Sequence, residues 1–365
     1  MDERRRRPIS ASTWPAEVAL LRDLVAIPSI SGQEGAAAEF VETQGRRLGL
    51  DVERDHTSVR VNVGSEASGA TLVLASHLDV VPPGDGWTRD PFVPVIEGGQ
   101  LYGRGSGDAK ASVSAMLLAL ADVAARGGPK HGRVLGIFSY GEETRNATMP
   151  EAVQRAGRLD AALVGEPTNL QFAIAQRGLM MVDLVARGTQ RHAGYAADGS
   201  PNAIAALARD LVKLDGIVAE RVHAVLGATT VTPTMLNAGV SRNVTPPVAT
   251  AILDVRSTPA WTHDELEAAL RERLTGEVSV TSKRLVPCET PPNSRLLAAA
   301  RMVAPAARLY GSPTCSDWCF LRHLDALKVG PGTSQRSHTP DESVDLAEVT
   351  AARAFYANVA ERYLS

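Results

Sequence analysis

Apolar residues recur along this chain in two rhythms, and the place where one gives way to the other is the first clue to its organisation. In the first rhythm, short apolar runs without alternation occupy Thr71–Ala75, 133–139 and Ala161–Val164, the pattern of strands covered on both faces. Between them Val113, Met116, Leu117, Leu120, Val123 and Ala124 fall at i, i+3, i+4, i+7, i+10 and i+11. That spacing predicts an amphipathic helix, ended by Gly127 and Gly128. Helices are also predicted over 15–26, where Val18, Leu21 and Val25 share a face, and over 34–48. Arg60–Val63 and Gln100–Tyr102 read as short extended pieces, and a helix over 149–157 precedes the strand at 161. Strand and helix in alternation predict an α/β domain with a mostly parallel sheet.

Past Glu166 the rhythm changes. Residues 179–186 read as a strand, Ser200–Pro201 opens a helix with Ile204, Leu207, Ala208 and Leu211 on one face, and 229–236 and 249–255 are further strands. Thr262-His-Asp-Glu265 is a capping box heading a helix with Leu266, Ala269, Leu270 and Leu274, and 277–281 closes the set. Residues 173–284 are therefore expected to form an inserted α+β domain. The flanking segments, 1–172 and 285–365, are expected to make one discontinuous catalytic domain. The last part resumes the first rhythm, with a helix near 294–304, a strand at 327–329 and a final helix striped by Leu346, Val349, Ala352, Tyr356, Val359 and Tyr363.

Composition narrows the partners. With 365 residues, 44% of them hydrophobic, the chain is long enough for two domains and a sizeable core. A net charge of −3 gives no global preference for nucleic acid or anionic membrane. The basic run Arg4–Arg7 is expected to be a solvated arm. Three cysteines are an odd count for a disulfide scaffold and favour a reducing, cytoplasmic home. No signal-type segment or membrane-length apolar run is present, so a soluble protein is expected.

The chemistry lies where the predicted strands stop. His77 and Asp79 end one strand, Asp108 precedes the helix that follows, Glu142 and Glu143 follow the strand at 133–139, Glu166 follows Val164, and His338 follows Gly332. Function in open α/β sheets collects at the carboxyl ends of strands. His77, Asp108, Glu143, Glu166 and His338 are a ligand set for Zn²⁺, Co²⁺ or Mn²⁺, and five ligands exceed the needs of one structural zinc. With Asp108 as a bridge, each of two ions receives one His and one Glu, and water between them becomes a nucleophile at neutral pH. Glu142 is then the general base and Asp79 the residue that orients His77. Arg177 and Arg256 are candidates to grip a substrate carboxylate, because a guanidinium matches it bidentately. Gly103–Gly107 lacks the Gly-Lys-Ser/Thr of a phosphate loop, so nucleotide binding is not expected. His56, His131, His223, His263 and His323 carry no such pattern, and His263 is expected on a helix surface.

Six motifs in order resemble those of the M20 metallopeptidases and deacylases: Ser76-His-Leu-Asp-Val-Val-Pro82, Trp87 with Asp90-Pro-Phe92, Tyr102-Gly-Arg-Gly-Ser-Gly-Asp-Ala-Lys110, Gly141-Glu-Glu143, Gly165-Glu-Pro-Thr168 and Ser337-His-Thr-Pro-Asp-Glu342. The resemblance spans nearly the whole chain and implies the same ligand and base roles. It further implies that the inserted domain is a lid and dimerisation surface, that His192 reaches a neighbouring subunit's site to stabilise the tetrahedral oxyanion, and that Asn243 lies near substrate. The implied protein is a cytoplasmic homodimer that hydrolyses small N-acyl amino acids of the acetylornithine or acetyl-lysine type by a metal-bound hydroxide. A dipeptidase or carboxypeptidase is the alternative within hydrolysis, and a non-catalytic binding relative the alternative outside it. Ser76, Ala111 and Asn146-Ala-Thr148 depart from the family's usual glycines.

Overall fold

A computed structural model describes residues 14–365, so the Arg4–Arg7 arm lies outside the described residues. The chain packs as two compact units: one comprises residues up to Ala173 with 290–309 and 316–365, the other 174–289 with 310–315.

In the first unit the strands lie side by side in the order Asp51–Arg54, Ser58–Gly64, Arg133–Ser139, Thr71–His77, Ala161–Val164, Asp325–Lys328. The last four run parallel, and the outer pair is antiparallel. Every residue of Thr71–His77 is buried, as its unbroken apolar run predicts for a strand covered on both faces. Helix Lys110–Ala125 differs from its expected amphipathic form, because twelve of its sixteen residues are buried on all sides. It packs against the sheet, helix Ala16–Val25 and helix Leu346–Tyr363, and its small residues Ala111, Ser112, Ser114, Ala115 and Ala119 admit those neighbours closely. A hydrophobic stripe reports the first face to be covered, and burial of the small residues between stripes leaves no periodic trace.

The second unit is a four-stranded antiparallel sheet, ordered Thr230–Ala238, Val248–Ser257, Gly178–Arg187, Glu277–Leu285. Here burial alternates strictly, with Met180, Val182, Leu184 and Ala186 inward on one strand and Ala249, Ala251, Leu253 and Val255 inward on its neighbour. Helices Ala203–Val218 and His263–Arg273 cover that face with Leu207, Leu214, Leu266 and Leu270. The capping box forms as predicted: Glu265 N–H donates to Thr262 Oγ1 at 3.2 Å, and Thr262 N–H to Glu265 Oε2 at 2.9 Å. His263, expected on the surface, is buried instead. Its Nδ1 donates to the Lys283 carbonyl at 2.8 Å, and its Nε2 pairs with the Ser257 hydroxyl at 2.7 Å. Burial lowers its pKa, so the neutral ring is the form the interior holds.

Candidate metal centre

The parallel strands deliver the chemistry to one edge of the sheet. His77 is the last residue of the strand in the sheet's middle, Glu142 and Glu143 follow the strand on one side of it, and Glu166 follows the strand on the other. The His77 ring is 1% exposed, with Nδ1 3.0 Å from the main-chain carbonyl of Asp79 and 3.5 Å from its Oδ1. A carbonyl only accepts, so Nδ1 carries a proton and Nε2 is the nitrogen that faces the acids.

Nε2 of His77 lies 3.3 Å from Asp108 Oδ1 and 3.9 Å from Glu166 Oε1. Nε2 of His338 lies 3.6 Å from Asp108 Oδ2 and 2.9 Å from Glu143 Oε2. The two oxygens of one carboxylate thus face two different imidazoles, each with a Glu of its own. Donor atoms of His77, Asp108 and Glu143 all lie within 4.8 Å of one another. The five expected ligands are brought together.

Two buried acids hold this arrangement. Asp79 Oδ1 accepts the Glu142 N–H at 3.0 Å, and its Oδ2 accepts the Glu143 N–H at 3.0 Å and the Ser31 hydroxyl at 2.7 Å. It therefore fixes the backbone of the acid pair as well as the imidazole; the expected role covered only the second. Burial alone would raise its pKa, but the hydrogen bonds and the His77 ring outweigh it and hold the carboxyl at about 2. Glu342, 1% exposed, does the same for Asp108. One of its oxygens accepts the N–H groups of Gly107 and Asp108 at 2.9 and 3.0 Å, and the other accepts Gly105 N–H at 3.2 Å and Arg104 Nη1 at 2.7 Å. Gly105 has φ +83°, and a Cβ there would sit 2.5 Å from the Val80 side chain, so only glycine lets this loop close on the strand. The Asp108–Ala109 peptide is cis.

Glu142 points its carboxylate at Asn146, whose Nδ2 donates to Oε1 at 3.0 Å. Burial and then repulsion from Glu166 and Asp317 lift its pKa well above the usual carboxylate range, against the pull of His77. Glu166 is pushed up to about 8 by burial and by the charge of Asp108. Crowded, buried carboxylates whose protons are held this strongly fit a divalent cation, which would relieve the repulsion that raises them. Glu342, Asn146 and Asp317 were not singled out as site residues from sequence. Glu342 sits inside the last motif and Asn146 at a departure from the family's glycine, which were the available signals.

The second unit holds the other candidates. His192 is exposed, pairs in register with Val244, and accepts the Gly194 N–H at 3.1 Å. The Ala193 N–H donates to the Asn243 carbonyl at 2.8 Å, so His192 and Asn243 share one corner of the unit. Arg256 is held bidentately by Asp254 at 2.7 and 3.0 Å. Arg177 does not present a free fork: its Nη1 donates to the carbonyls of Ala228 and Arg256 at 2.9 and 3.0 Å, and its Nη2 to Leu226 at 2.6 Å. Three main-chain carbonyls, from Leu226, Ala228 and Arg256, therefore engage the guanidinium.

Residues 73–362 match the family described as Peptidase family M20/M25/M40. The chain is a member of that family. It is also 30% identical to the succinyl-diaminopimelate desuccinylase of Methylorubrum populi, over 95% of this chain and 98% of that protein. The enzyme of the same name from Cereibacter sphaeroides (strain ATCC 17029 / ATH 2.4.9) is 30% identical over 95% and 99%. Among solved structures, the fold matches aminopeptidase PepT from Bacillus cereus with a TM-score of 0.79 at 17% identity, over 96% of this chain and 98% of that one. It matches an M20 metallo-carboxypeptidase from Sulfolobus solfataricus with 0.77 at 19%, over 96% and 99%. It matches the YxeP protein of Bacillus subtilis, a dinuclear metal-binding M20 peptidase, with 0.71 at 16%, over 94% and 96%. This M20 chain is a metal-dependent amidohydrolase, with a mainly parallel α/β unit and a separate antiparallel one. Among the described residues no helix is long and apolar enough to cross a membrane.

Proposed function

We propose that this M20 hydrolase cleaves the amide bond of a small N-acyl amino acid, with His77, Asp108, Glu143, Glu166 and His338 holding two divalent ions, zinc before cobalt or manganese. The observation that carries this reading is Asp108, whose two oxygens face two imidazoles at 3.3 and 3.6 Å. Bound divalent ions would polarise the amide carbonyl and make water acidic at neutral pH. This chain's own residues do the rest. Asp79 holds His77 and the Glu142–Glu143 backbone in place, and Glu142, a half-buried carboxylate whose Oε2 has no protein donor among the described residues, takes the water's proton and passes it to the leaving nitrogen. His192 and Asn243 form a corner that completes the site of a second copy in a homodimer, with the imidazole aimed at the developing oxyanion. Arg177 and Arg256 are the candidate guanidiniums for a substrate carboxylate, although main-chain carbonyls engage the first and Asp254 the second.

The acyl group divides two readings. The 330–342 motif supports an acetylornithine or acetyl-lysine type substrate, and the names of the 30%-identical relatives support an N-succinyl one. A panel of acetyl-, succinyl- and formyl-amino acids and dipeptides, assayed with Zn²⁺ and with Co²⁺, separates them. Hydrolysis of an N-acyl amino acid well above every dipeptide is expected. Faster cleavage of dipeptides would replace the deacylase reading with the peptidase one.

A further inference from the structure

Asn146 opens the Asn-Ala-Thr stretch that follows the Glu pair, and its surroundings give it a specific task. The residue is 5% exposed and has φ +46°, a left-handed conformation that asparagine tolerates better than most residues. Its Nδ2 has two hydrogens and two acceptors, Glu142 Oε1 at 3.0 Å and Asp317 Oδ1 at 3.1 Å. Asp317 is 2% exposed, and its other oxygen accepts the Ser139 hydroxyl at 2.7 Å. A flipped amide would set its carbonyl against two carboxylates, so Asp317 fixes which end of Asn146 faces Glu142.

We infer that Asn146, oriented by Asp317 and Ser139, is a positioning residue that pins Oε1 of Glu142 and leaves Oε2 as the oxygen that takes the proton. The inference rests on the proposed role of Glu142 as general base. An amide N–H is a permanent donor with no proton to lose near neutral pH, so it marks one oxygen as acceptor throughout the cycle without competing for the transferred proton. Asp or His at 146 would lack that property. Among the described residues the hydrogen bonds of the Asn146 amide and the Asp317 carboxylate go to Glu142, Ser139 and each other and to none of the five clustered residues, so the effect is expected on turnover and not on metal content.

The test is a cycle of Asn146→Gly and Glu142→Gln in the full-length enzyme, with Gly chosen because it adopts the left-handed backbone freely. Asn146→Gly is expected to lower kcat about 10- to 100-fold, with KM within about threefold and metal per chain unchanged. In the Glu142→Gln background, which has no base to position, the same substitution is expected to change the residual rate less than twofold. A crystal structure of Asn146→Gly is expected to show the Glu142 carboxylate in more than one rotamer. Asn146→Asp, which sets a third carboxyl against Glu142 and Asp317, should lower kcat at least as much as the glycine variant. A kcat for Asn146→Gly within twofold of wild type, with Glu142→Gln inactive, would overturn the inference and leave the proposed function standing. So would an undiminished loss in the Glu142→Gln background, which would mark a general structural defect. An active Glu142→Gln enzyme would remove the base assignment itself, and this inference with it.

Discussion

His77 and His338 present the same ring nitrogen to the same carboxylate, yet the chain holds them in opposite ways. His77 ends a fully buried strand, is 1% exposed, and has its far nitrogen fixed by Asp79. His338 sits on a loop at φ +63° with its side chain 52% exposed, and among the described residues its ring is oriented by Glu143 and Asp108. The first half of the centre is built by folding. The second closes through loop contacts: Glu342 gripping the Asp108 loop, and Asp341 accepting the Thr88 N–H and hydroxyl at 3.1 and 2.7 Å. The difference teaches that burial and placement on a loop set the rigidity of two imidazoles in one cluster separately.

The sharpest way to break the comparison is to remove each ring. His77→Ala is expected to lose at least about a thousandfold in kcat/KM, the equivalent of roughly 4 kcal/mol of transition-state stabilisation. It should also destabilise the metal-free protein by about 3–5 kcal/mol in a urea titration, because Asp79 stays buried without its partner. His338→Ala should cost activity to a similar order, but less than about 1 kcal/mol of metal-free stability, since a half-exposed ring leaves little behind. Equal destabilisation by the two would contradict the contrast. Asp79→Asn comes next. It keeps the shape but turns an NH2 toward one of the Glu142 and Glu143 N–H groups, so roughly 10- to 100-fold lower kcat is expected together with weaker metal retention. Smallest is Thr88→Ala, which releases Asp341 at the exposed loop. A change within about 1 kcal/mol in stability and a few-fold rise in KM, read by steady-state kinetics, would show that the loop around His338 is locally tunable.

What the sequence made legible follows the same division. The strand-end acids and imidazoles were readable because most of them follow a short apolar run in the sequence, directly or after a brief turn. Asn146 and Asp317 were not, since their contact joins residues 171 apart and nothing local announces it. Helix Lys110–Ala125 was placed but its burial was underestimated, because periodicity cannot register small residues packed on the remaining faces. His263 misled for a related reason. A residue's type shows what it can bond, and only tertiary structure decides whether main-chain carbonyls have already claimed it. The edges of the parallel sheet, antiparallel at Asp51–Arg54 and Ser58–Gly64, also escaped a reading based on strand and helix alternation.

The central claim is that Asp108 is shared between two metal positions, one built on His77 and one closed by His338. Metal-stripped protein reconstituted with Zn²⁺, then desalted and measured by inductively coupled plasma mass spectrometry, tests it most directly. Two ions per chain are expected for the wild type and one for His338→Ala, with Asp108→Asn losing both. A single ion in the wild type, or two retained in His338→Ala, would contradict the account.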